Sequence, residues 1–319
     1  MQLRACAALL AGVISTFFVA TQSFALDLVR VAIPQRGSWE TSPADIGQAA
    51  GLFEKRGIKV ETLYTSGGGE TLQALIAGSV DVAVATGTSA VFGAFAKGAP
   101  IRPIASSITN AQDIYWYVPA ESPIKALKDA AGKTISFSAL GSSSHLATLK
   151  LIEMNGGGLK AVPTGTPPNT FTQVMSGQID IGWSAVPFGI EALEQKRIRL
   201  LARYSDIPEY RPMTARLHVA NLAFIAKGDL MKRFLAAYAD TLDWMYRGDE
   251  ALEVFAKFYG SSLNEIRVTR SDFYPDKASL DLKRLGGLDQ AMADAVTLKF
   301  LPKPLTKAET DDLFSAFLK

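Results

Sequence analysis

Short apolar runs rich in β-branched residues alternate with segments of helical spacing through the first third of the chain. Each apolar run is four to seven positions long and is followed by a polar or glycine-rich turn, which is typical of buried strands. An order of strand, helix, strand, helix, strand favours a parallel sheet. The predicted strands are 28–33, 58–64, 80–85 and 101–106, and the predicted helices are 43–55, 70–77 and 90–96.

The same alternation begins again after an aromatic stretch at residues 114–118. A later apolar segment, residues 219–226, is expected to carry the chain back to the first group of elements. Two crossings between the groups predict a hinge. The second group consists of predicted helices 124–130, 143–153 and 170–175 and predicted strands 134–137, 161–163, 179–184 and 198–202.

The chain after residue 229 has a mostly helical pattern. One stripe of apolar and aromatic side chains is expected to pack as core on the first group of elements rather than against a ligand. Asp229 and Thr306 are predicted helix caps. The stripe is Phe234, Tyr238, Leu242 and Met245, and the later predicted helices are 280–288, 290–295 and 307–318.

A pattern of helix, glycine, aspartate and strand occurs twice in the chain. Its aspartates are Asp81 and Asp180, which are 99 positions apart. This spacing is too long for a solenoid repeat and fits two copies of an α/β lobe. Two lobes with a cleft between them predict a clamshell that closes on a small molecule. The alternative is chance recurrence, because this pattern is common in α/β proteins. The aspartates themselves are expected to do structural work at a turn or strand start.

The length of 319 residues suits two domains of roughly 100 to 200 residues each. The N-terminal segment differs from the rest: Arg4 is its only charge, residues 5–19 are apolar, and the sequence Ser23-Phe24-Ala25 follows. This is the layout of a secretory signal cleaved after Ala25. The alternative is a membrane anchor, although the apolar run is shorter than the ~20 residues that span a bilayer.

Composition and charge exclude several classes of protein. Cleavage would remove Cys6, the only cysteine, and with it any disulfide, thiol nucleophile or cysteine metal site. The net charge of +2 is not clustered, so nucleic acid is not an expected partner. His145 and His218, the only histidines, lack metal-ligand spacing, and no G-x-S-x-G motif is present. We therefore expect no catalytic residue, no metal and no cofactor.

Ligands of open α/β sheets bind at the carboxyl ends of the strands, and five loops of this chain meet that description. They are residues 35–41, 66–71, 86–90, 140–145 and 184–189. The candidate ligand-binding residues in them are Gln35, Arg36, Ser38, Trp39, Ser66, Gly67, Gly68, Gly69, Thr71, Thr86, Thr88, Ser89, Gly141, Ser142, Ser143, Ser144, His145, Trp183 and Pro187.

The serine-rich loop 141–145 lies between a predicted strand and a predicted helix. Its unpaired N–H groups and three hydroxyls could hold a sulfonate, carboxylate or phosphate oxygen, although Ser142 or Ser143 could simply cap the helix. The glycines of loop 66–69 permit a similar close approach. Glu70 would oppose an anion if it faced inward, whereas a solvent-facing Glu70 favours the helix dipole.

Two tryptophans and one arginine lie in the same set of loops. Trp39 and Trp183 could sandwich an organic part of a ligand, or could be hinge or core residues. Arg36 could pair with an anion in bidentate fashion, or be a solvated loop residue.

Five segments, in their order along the chain, form a recognisable combination. They are Ala49-Ala50-Gly51-Leu52-Phe53-Glu54-Lys55-Arg56-Gly57-Ile58-Lys59-Val60-Glu61, Ala74-Leu75-Ile76-Ala77-Gly78-Ser79-Val80-Asp81, Gly98-Ala99-Pro100-Ile101, Asp129-Ala130-Ala131-Gly132-Lys133-Thr134-Ile135 and Gly141-Ser142-Ser143-Ser144-His145. Together they resemble the solute-binding proteins of bacterial ATP-driven (ABC) importers. The resemblance is to the nitrate, sulfonate and taurine group, which includes binders of thiamine-pyrimidine precursors, and it covers roughly residues 28–205.

The resemblance implies an α/β, two-lobed periplasmic binding protein fold of type II with a hinge of two crossover segments. The expected organisation is a signal peptide at 1–25, lobe I at 26–115, lobe II at 116–217, and a return to lobe I with C-terminal helices at 218–319. It also implies a periplasmic location and delivery of the ligand to a membrane permease with its ATPase. In the sulfonate branch, the loop matching 141–145 helps to hold the anionic head, and the loops matching 66–71 and 86–89 complete the pocket.

The resulting expectation is a monomeric binding protein for a small organic anion, with an alkanesulfonate or taurine-like compound as first choice. A neutral or aromatic ligand, such as a pyrimidine precursor or aromatic acid, is the alternative. An enzyme on the same scaffold, for example a hydrolase using His145, is the alternative from another class. The first loop, 35–39, matches no single ligand branch closely, so the ligand itself stays open.

Overall fold

A computed structural model describes residues 25–318, so the expected signal segment lies almost wholly outside the described residues. The described chain is a mixed α/β structure. None of its helices is both long enough and apolar enough to cross a membrane. Its strands, numbered along the chain, are β1 (Asp27–Pro34), β2 (Ile58–Thr65), β3 (Val82–Gly87), β4 (Ile101–Thr109), β5 (Ile114–Pro119), β6 (Thr134–Phe137), β7 (Lys160–Pro163), β8 (Gly182–Ala185), β9 (Ile198–Arg203) and β10 (Thr214–Asn221).

Twelve α-helices connect and cover the strands of the described chain. They are α1 (Pro43–Ala49), α2 (Gly68–Ile76), α3 (Thr88–Ala96), α4 (Ser143–Met154), α5 (Pro167–Met175), α6 (Ile190–Glu194), α7 (Leu222–Ile225), α8 (Gly228–Met245), α9 (Glu250–Tyr259), α10 (Leu263–Val268), α11 (Leu288–Thr297) and α12 (Lys307–Leu313).

Lobe I is built on a five-stranded sheet with the order β2-β1-β3-β10-β4. Strand β1 runs parallel to both of its neighbours, as the alternation of strands and helices predicts. Strand β10 returns to this sheet late in the chain and runs antiparallel to β3 and β4. The central strands are buried along nearly their whole length, which explains their continuous apolar runs.

Lobe II contains the antiparallel sheet β8-β5-β9 and the parallel pair β6-β7. A parallel bridge between Ile135 and Ile181 places β6 beside the start of β8. The order across lobe II is therefore β7-β6-β8-β5-β9. It repeats the order of lobe I with β5 in the place of β10, so the two lobes share one topology.

The repeated aspartates occupy equivalent structural positions in the two lobes. Asp81 accepts a hydrogen bond from the backbone N–H of Arg30 on the first strand of lobe I, at 2.9 Å. Asp180 accepts one from the backbone N–H of Thr134 on the first strand of lobe II, also at 2.9 Å. Each aspartate thus ties the entry of one strand to its neighbour, which is the structural role that the sequence predicts for both.

The C-terminal helices pack on lobe I. Phe53 beside α1 lies 5.7 Å from Phe234 of α8, and Trp39 lies 5.6 Å from Phe255 of α9, as distances between ring centroids. All four members of the predicted stripe on α8 are buried. Thr306 caps α12 through a reciprocal capping box with Glu309.

Several predicted elements differ from the structure. Residues 124–130 form only a 3₁₀ turn at Leu127–Asp129, because Ala126 is extended, with φ −145° and ψ 160°, and no helix can begin before it. Residues 281–287, between a 3₁₀ turn that ends at Leu280 and the start of α11, form no helix, because their carbonyls bond to the sheet: Leu282 O accepts from Ser106 on β4 and Gly286 O accepts from Thr214 on β10.

Other differences concern where elements begin and end. The first helix stops at Ala49 rather than residue 55, and α8 begins before Asp229, which is therefore not its cap. The predicted segment 219–226 is the end of β10 followed by α7. The aromatic stretch at 114–118, to which the residue pattern assigns no element, is β5, the middle strand of the sheet β8-β5-β9.

Candidate functional site

The two lobes enclose a small cavity at the carboxyl ends of β1, β3 and β6. Its volume is about 30 Å³, which is room for one or two water molecules in this closed arrangement. Lobe I and the crossover segments supply Pro34, Gln35, Ser38, Thr41, Gly68, Ala85, Asp113, Ile114 and Arg216, and lobe II supplies Ser138, Ser142, Ser143, Ser144, Trp183 and Ala185.

The serine-rich loop forms the floor of the cavity on the lobe II side. Ser142 caps α4 by accepting a hydrogen bond from His145 N at 3.1 Å, which confirms the predicted cap. Ser144 is held within the loop by Ser138 and Ser142, at 2.9 and 3.0 Å between the hydroxyl oxygens. Ser143 Oγ accepts from Arg216, so its own hydroxyl hydrogen is free to point into the cavity.

A buried charged triad lies at the opposite wall, where Asp113 and Arg216 line the cavity and Glu40 lies behind them. Sequence reasoning missed all three members. Arg216 on β10 donates through Nε to Ser143 Oγ at 2.8 Å and through Nη2 to both carboxylate oxygens of Asp113 at 3.0 Å. Its Nη1 contacts the carboxylate of Glu40, which also accepts a hydrogen bond from Ser107. The Arg216–Ser143 bond joins the two lobes directly across the cleft.

Burial shifts the proton affinity of these groups. It raises the pKa of Asp113 to about 7, although the N–H groups of Asp113 and Ile114 favour the ionised form. It lowers the pKa of Arg216 to about 10, so the guanidinium is still charged at neutral pH. The feature of the sequence that could have revealed this triad is the arginine within the apolar run of β10, because a buried charge there requires partners.

Trp183 presents an unpaired hydrogen-bond donor at the cavity. The residue is 1% exposed and its indole Nε1 has no partner, whereas its backbone N–H is paired with Ser136 Oγ at 2.8 Å. A buried N–H normally has a partner. This donor is therefore available to a ligand.

Trp39 does not line the cavity but is buried in the core, so the second of the two alternatives applies to it and the two tryptophans do not form a sandwich. Its indole packs against Phe255 and Tyr246 and lies 3.4 Å from the hydroxyl oxygen of Tyr246. Arg36 is also turned away from the cavity. Its guanidinium lies over the rings of Tyr64 and Tyr259 and donates to the Phe258 carbonyl at 3.0 Å.

The hydroxyls of the third candidate loop are committed to the backbone of lobe I. Thr86 donates to Leu217 O, Thr88 to Thr214 O and Ser89 to Ala291 O. None of these three side chains lines the cavity.

Thr71 and Pro187 also lie outside the cavity. The Thr71 hydroxyl is shared with Thr65 at 2.7 Å and donates to Gly67 O. Thr170 makes the same pair with Thr164 in lobe II, at 2.6 Å.

His145 stands behind the serine loop rather than in the cavity. Its Nδ1 accepts from Gly141 N at 3.3 Å, and its ring lies 4.4 Å from that of Phe137. Burial lowers its pKa to about 4, so it is neutral at pH 7. The described residues contain no group of three His, Cys, Asp or Glu side chains arranged to hold a metal ion.

The glycines of lobe I form the contact between the lobes. A Cβ at Gly69 would lie 2.6 Å from Leu140 O, and one at Gly87 would lie 2.5 Å from Gly141 O. Only residues without a Cβ allow the two backbones to meet this closely. Gly67 similarly faces Ser138 and Ala139. Glu70 is exposed and accepts from Ser66 N at 3.0 Å, which is the solvent-facing arrangement.

Outside this contact lies a wider, open groove of about 1060 Å³ between α2, α3 and the loop at Leu140. Ser66, Gly69 and Gly141 line this groove rather than the cavity. Of the predicted residues, the structure thus brings Gln35, Ser38, Gly68, Ser142, Ser143, Ser144 and Trp183 together around one cavity.

A family model described as NMT1/THI5 like matches residues 41–251, about two thirds of the chain and most of both lobes. The chain belongs to this family. The match confirms the family that the sequence motifs indicate. No curated protein matches the sequence significantly.

Solved structures with the same fold are similar along most of the chain. The periplasmic aliphatic sulphonate-binding protein SsuA of Escherichia coli is 21% identical with a TM-score of 0.68, covering 89% of this chain and 91% of its own. The alkanesulfonate-binding protein SsuA of Xanthomonas axonopodis pv. citri, bound to MOPS, is 18% identical with a TM-score of 0.74, covering 88% and 97%.

The periplasmic nitrate-binding protein NrtA of Synechocystis PCC 6803 is 13% identical with a TM-score of 0.68, covering 92% of this chain and 86% of its own. At these identities the likeness shows the fold alone. The fold of this family member is therefore the two-lobed periplasmic binding protein fold, as predicted.

Proposed function

We propose that this protein is the periplasmic solute-binding component of an ABC importer, which captures a small organic anion between its lobes and delivers it to the permease. An alkanesulfonate is the first choice of ligand. The observation that carries the proposal is the set of donors that converge on one closed cavity from both lobes. Family membership and the likeness to sulfonate- and nitrate-binding proteins support it.

The donors that face the cavity suit an anion. The N-terminus of α2 begins at Gly68 and that of α4 at Ser143, and both helix ends carry unpaired N–H groups and a partial positive charge. The Ser143 hydroxyl and the Trp183 indole add two more donors. Closure then follows from differential affinity, because a ligand that meets donors of both lobes binds the closed state more tightly.

The experiment is a thermal unfolding screen of the purified protein without its signal segment. Tris buffer is used, because many common buffers, MOPS among them, carry a sulfonate group, and because phosphate is itself an anion that the serine-rich loop could hold. Ethanesulfonate, taurine, nitrate, small carboxylates and pyrimidines form the panel. A ligand present at 100 times its Kd stabilises the folded state by about 2.7 kcal/mol. A sulfonate should raise the Tm by several degrees, and indifference to the whole panel would contradict the proposal.

Two variants connect that shift to the cavity. Ser143→Ala removes one donor and the partner of Arg216, so the shift should shrink. Ser79→Ala changes an exposed serine far from the cavity and serves as the matched control. Equal ligand-induced Tm shifts for both variants would show that the ligand binds outside the cavity.

A neutral or aromatic ligand, such as a pyrimidine precursor, is the second candidate. The observation that favours it is the pairing of Arg216 with two carboxylates, which leaves no free cation among the described residues that line the cavity. Trp183 offers a donor and an apolar ring to such a ligand. In that case Trp183→Ala should weaken binding more than Ser143→Ala.

A further inference from the structure

The charged triad beneath the cavity carries more negative than positive charge. Arg216 supplies one guanidinium, whereas Glu40 and Asp113 supply two carboxylates. The side chains of Glu40, Asp113 and Arg216 are 0%, 1% and 10% exposed. If both carboxylates were ionised, the closed protein would bury one uncompensated negative charge, which is costly in a medium of low dielectric constant.

Neighbouring groups do not supply the missing positive charge. The phenols of Tyr204 and Tyr274 face Asp113 from the segments after β9 and α10, and neither is a cation. Ser107 and Ser143 contribute hydroxyls to the triad. Lobe closure brings Ser143 of α4 and Trp183 of β8 over the triad, which removes it further from water.

Asp113 is the carboxylate that a ligand meets, because it lines the cavity and Glu40 does not. Both Asp113 oxygens face Arg216 Nη2 at 3.0 Å. A proton on one of these oxygens balances the triad. It also turns Asp113 from an acceptor into a donor, so that it joins Ser143 and Trp183 in facing an anion.

We infer that Asp113 sets the charge that the site accepts: the closed cleft takes up one positive charge together with its ligand. For a simple anion this charge is a proton from solvent that binds the Asp113 carboxylate. For a zwitterion it is the ligand's own ammonium group. This inference rests on the proposed capture of a small organic anion and specifies how its charge is balanced. The raised pKa of Asp113 agrees with it.

The test compares two probes that differ in one ammonium group, ethanesulfonate and taurine. Calorimetric titrations at pH 8 in triethanolamine and in Tris, two cationic buffers that differ in ionisation enthalpy, give the number of protons taken up. Ethanesulfonate binding should take up close to one proton. Its affinity should fall about tenfold per pH unit above pH 7, as the linkage of one proton requires. Taurine binding should take up none, and its affinity should be independent of pH up to 8.

Asp113→Asn keeps the shape of the side chain and supplies a permanent donor. In this variant ethanesulfonate should bind without proton uptake and with the same affinity at pH 6 and pH 8. A merely structural role of Asp113 would instead weaken binding at every pH. Glu40→Gln also removes the excess charge and should abolish the uptake, so it serves if Asp113→Asn does not fold.

Failure of this inference is distinguishable from failure of the proposed ligand class. Ethanesulfonate binding without proton uptake would overturn the inference and leave anion capture intact. If no sulfonate binds but nitrate or a carboxylate of the panel does, the same proton count with that anion decides it. Uptake close to one proton at pH 8, absent from Asp113→Asn, is the expected result. Binding of that anion without proton uptake would overturn the inference.

Discussion

Replacing Gly87 by alanine should weaken ligand binding without unfolding the protein. Gly87 ends β3 and precedes α3, with φ −60° and ψ 128°, a backbone conformation that alanine adopts without strain. Within lobe I the substitution should therefore introduce no backbone strain. It should stabilise the folded state by about 0.4–1 kcal/mol, because alanine lowers the conformational entropy of the unfolded chain. The cost falls on the contact with lobe II.

The structure gives the size of that cost. A Cβ on Gly87 would lie 2.5 Å from Gly141 O, whereas real Cβ contacts stay above 3.0 Å, so the lobes must separate by at least the difference. Overpacking of this kind typically costs about 1–3 kcal/mol. The open form avoids this overpacking, so its free-energy cost opposes closure of the lobes and therefore weakens ligand binding. Since 1.4 kcal/mol is a factor of ten, the affinity should fall about 5- to 140-fold.

The assay is calorimetric titration with the ligand identified in the thermal screen, together with small-angle scattering with and without that ligand. Gly248→Ala is the matched control, because its Cβ would meet nothing within 4 Å. Gly87→Ala should have an unchanged or higher Tm without ligand and an incomplete compaction with it. Full affinity and full compaction in Gly87→Ala would refute the assignment of Gly87 to the closing contact.

Three further predictions concern single side chains. Trp183→Phe keeps a ring but removes the unpaired N–H, so ligand affinity should fall by a hydrogen bond's ~1 kcal/mol while the Tm changes little; equal affinity in calorimetry would exclude this donor. Burial acts to raise the pKa of Asp180, but hydrogen bonds from Thr134 and the charge of Lys133 outweigh it and hold the pKa below its usual value. The stability that ionised Asp180 contributes is thus present above pH 4 and lost in acid. In urea titrations, Asp180→Asn should therefore be less stable than the wild type at pH 7, and the two free energies of unfolding should converge at low pH. Burial lowers the pKa of His145 to about 4, so the wild type should lose stability as pH falls from 6.5 towards 4, and His145→Gln should lose less; parallel pH profiles would contradict this.

The fold could be predicted because its signals are local. Buried parallel strands produce continuous apolar runs, and the Asp81 and Asp180 repeats mark equivalent strand pairs in the two lobes. The missed strand β5 carries Tyr115, Trp116 and Tyr117, all buried, so no polar alternation marks it. The helix predicted at 280–288 is wrong because the same leucine spacing also suits a non-helical segment that hydrogen-bonds to the sheet.

The candidate site was predicted only in part because loop position does not fix side-chain direction. The serine loop and Trp183 reach the cavity, but Trp39 turns into the core against α9 and Arg36 onto tyrosine rings. Hydroxyls such as that of Thr86 satisfy backbone carbonyls instead. The charged triad joins residues up to 176 positions apart (40 and 216), which no local pattern reveals.

A crystal structure of the protein with the tightest-binding ligand from the screen would show directly whether the cleft between the lobes is the binding site. We expect the ligand to lie between the lobes, with its polar group within hydrogen-bond distance of Ser143 Oγ and Trp183 Nε1. A ligand bound in the outer groove between α2 and α3, with the cavity between the lobes unchanged, would show that the cleft is not the binding site.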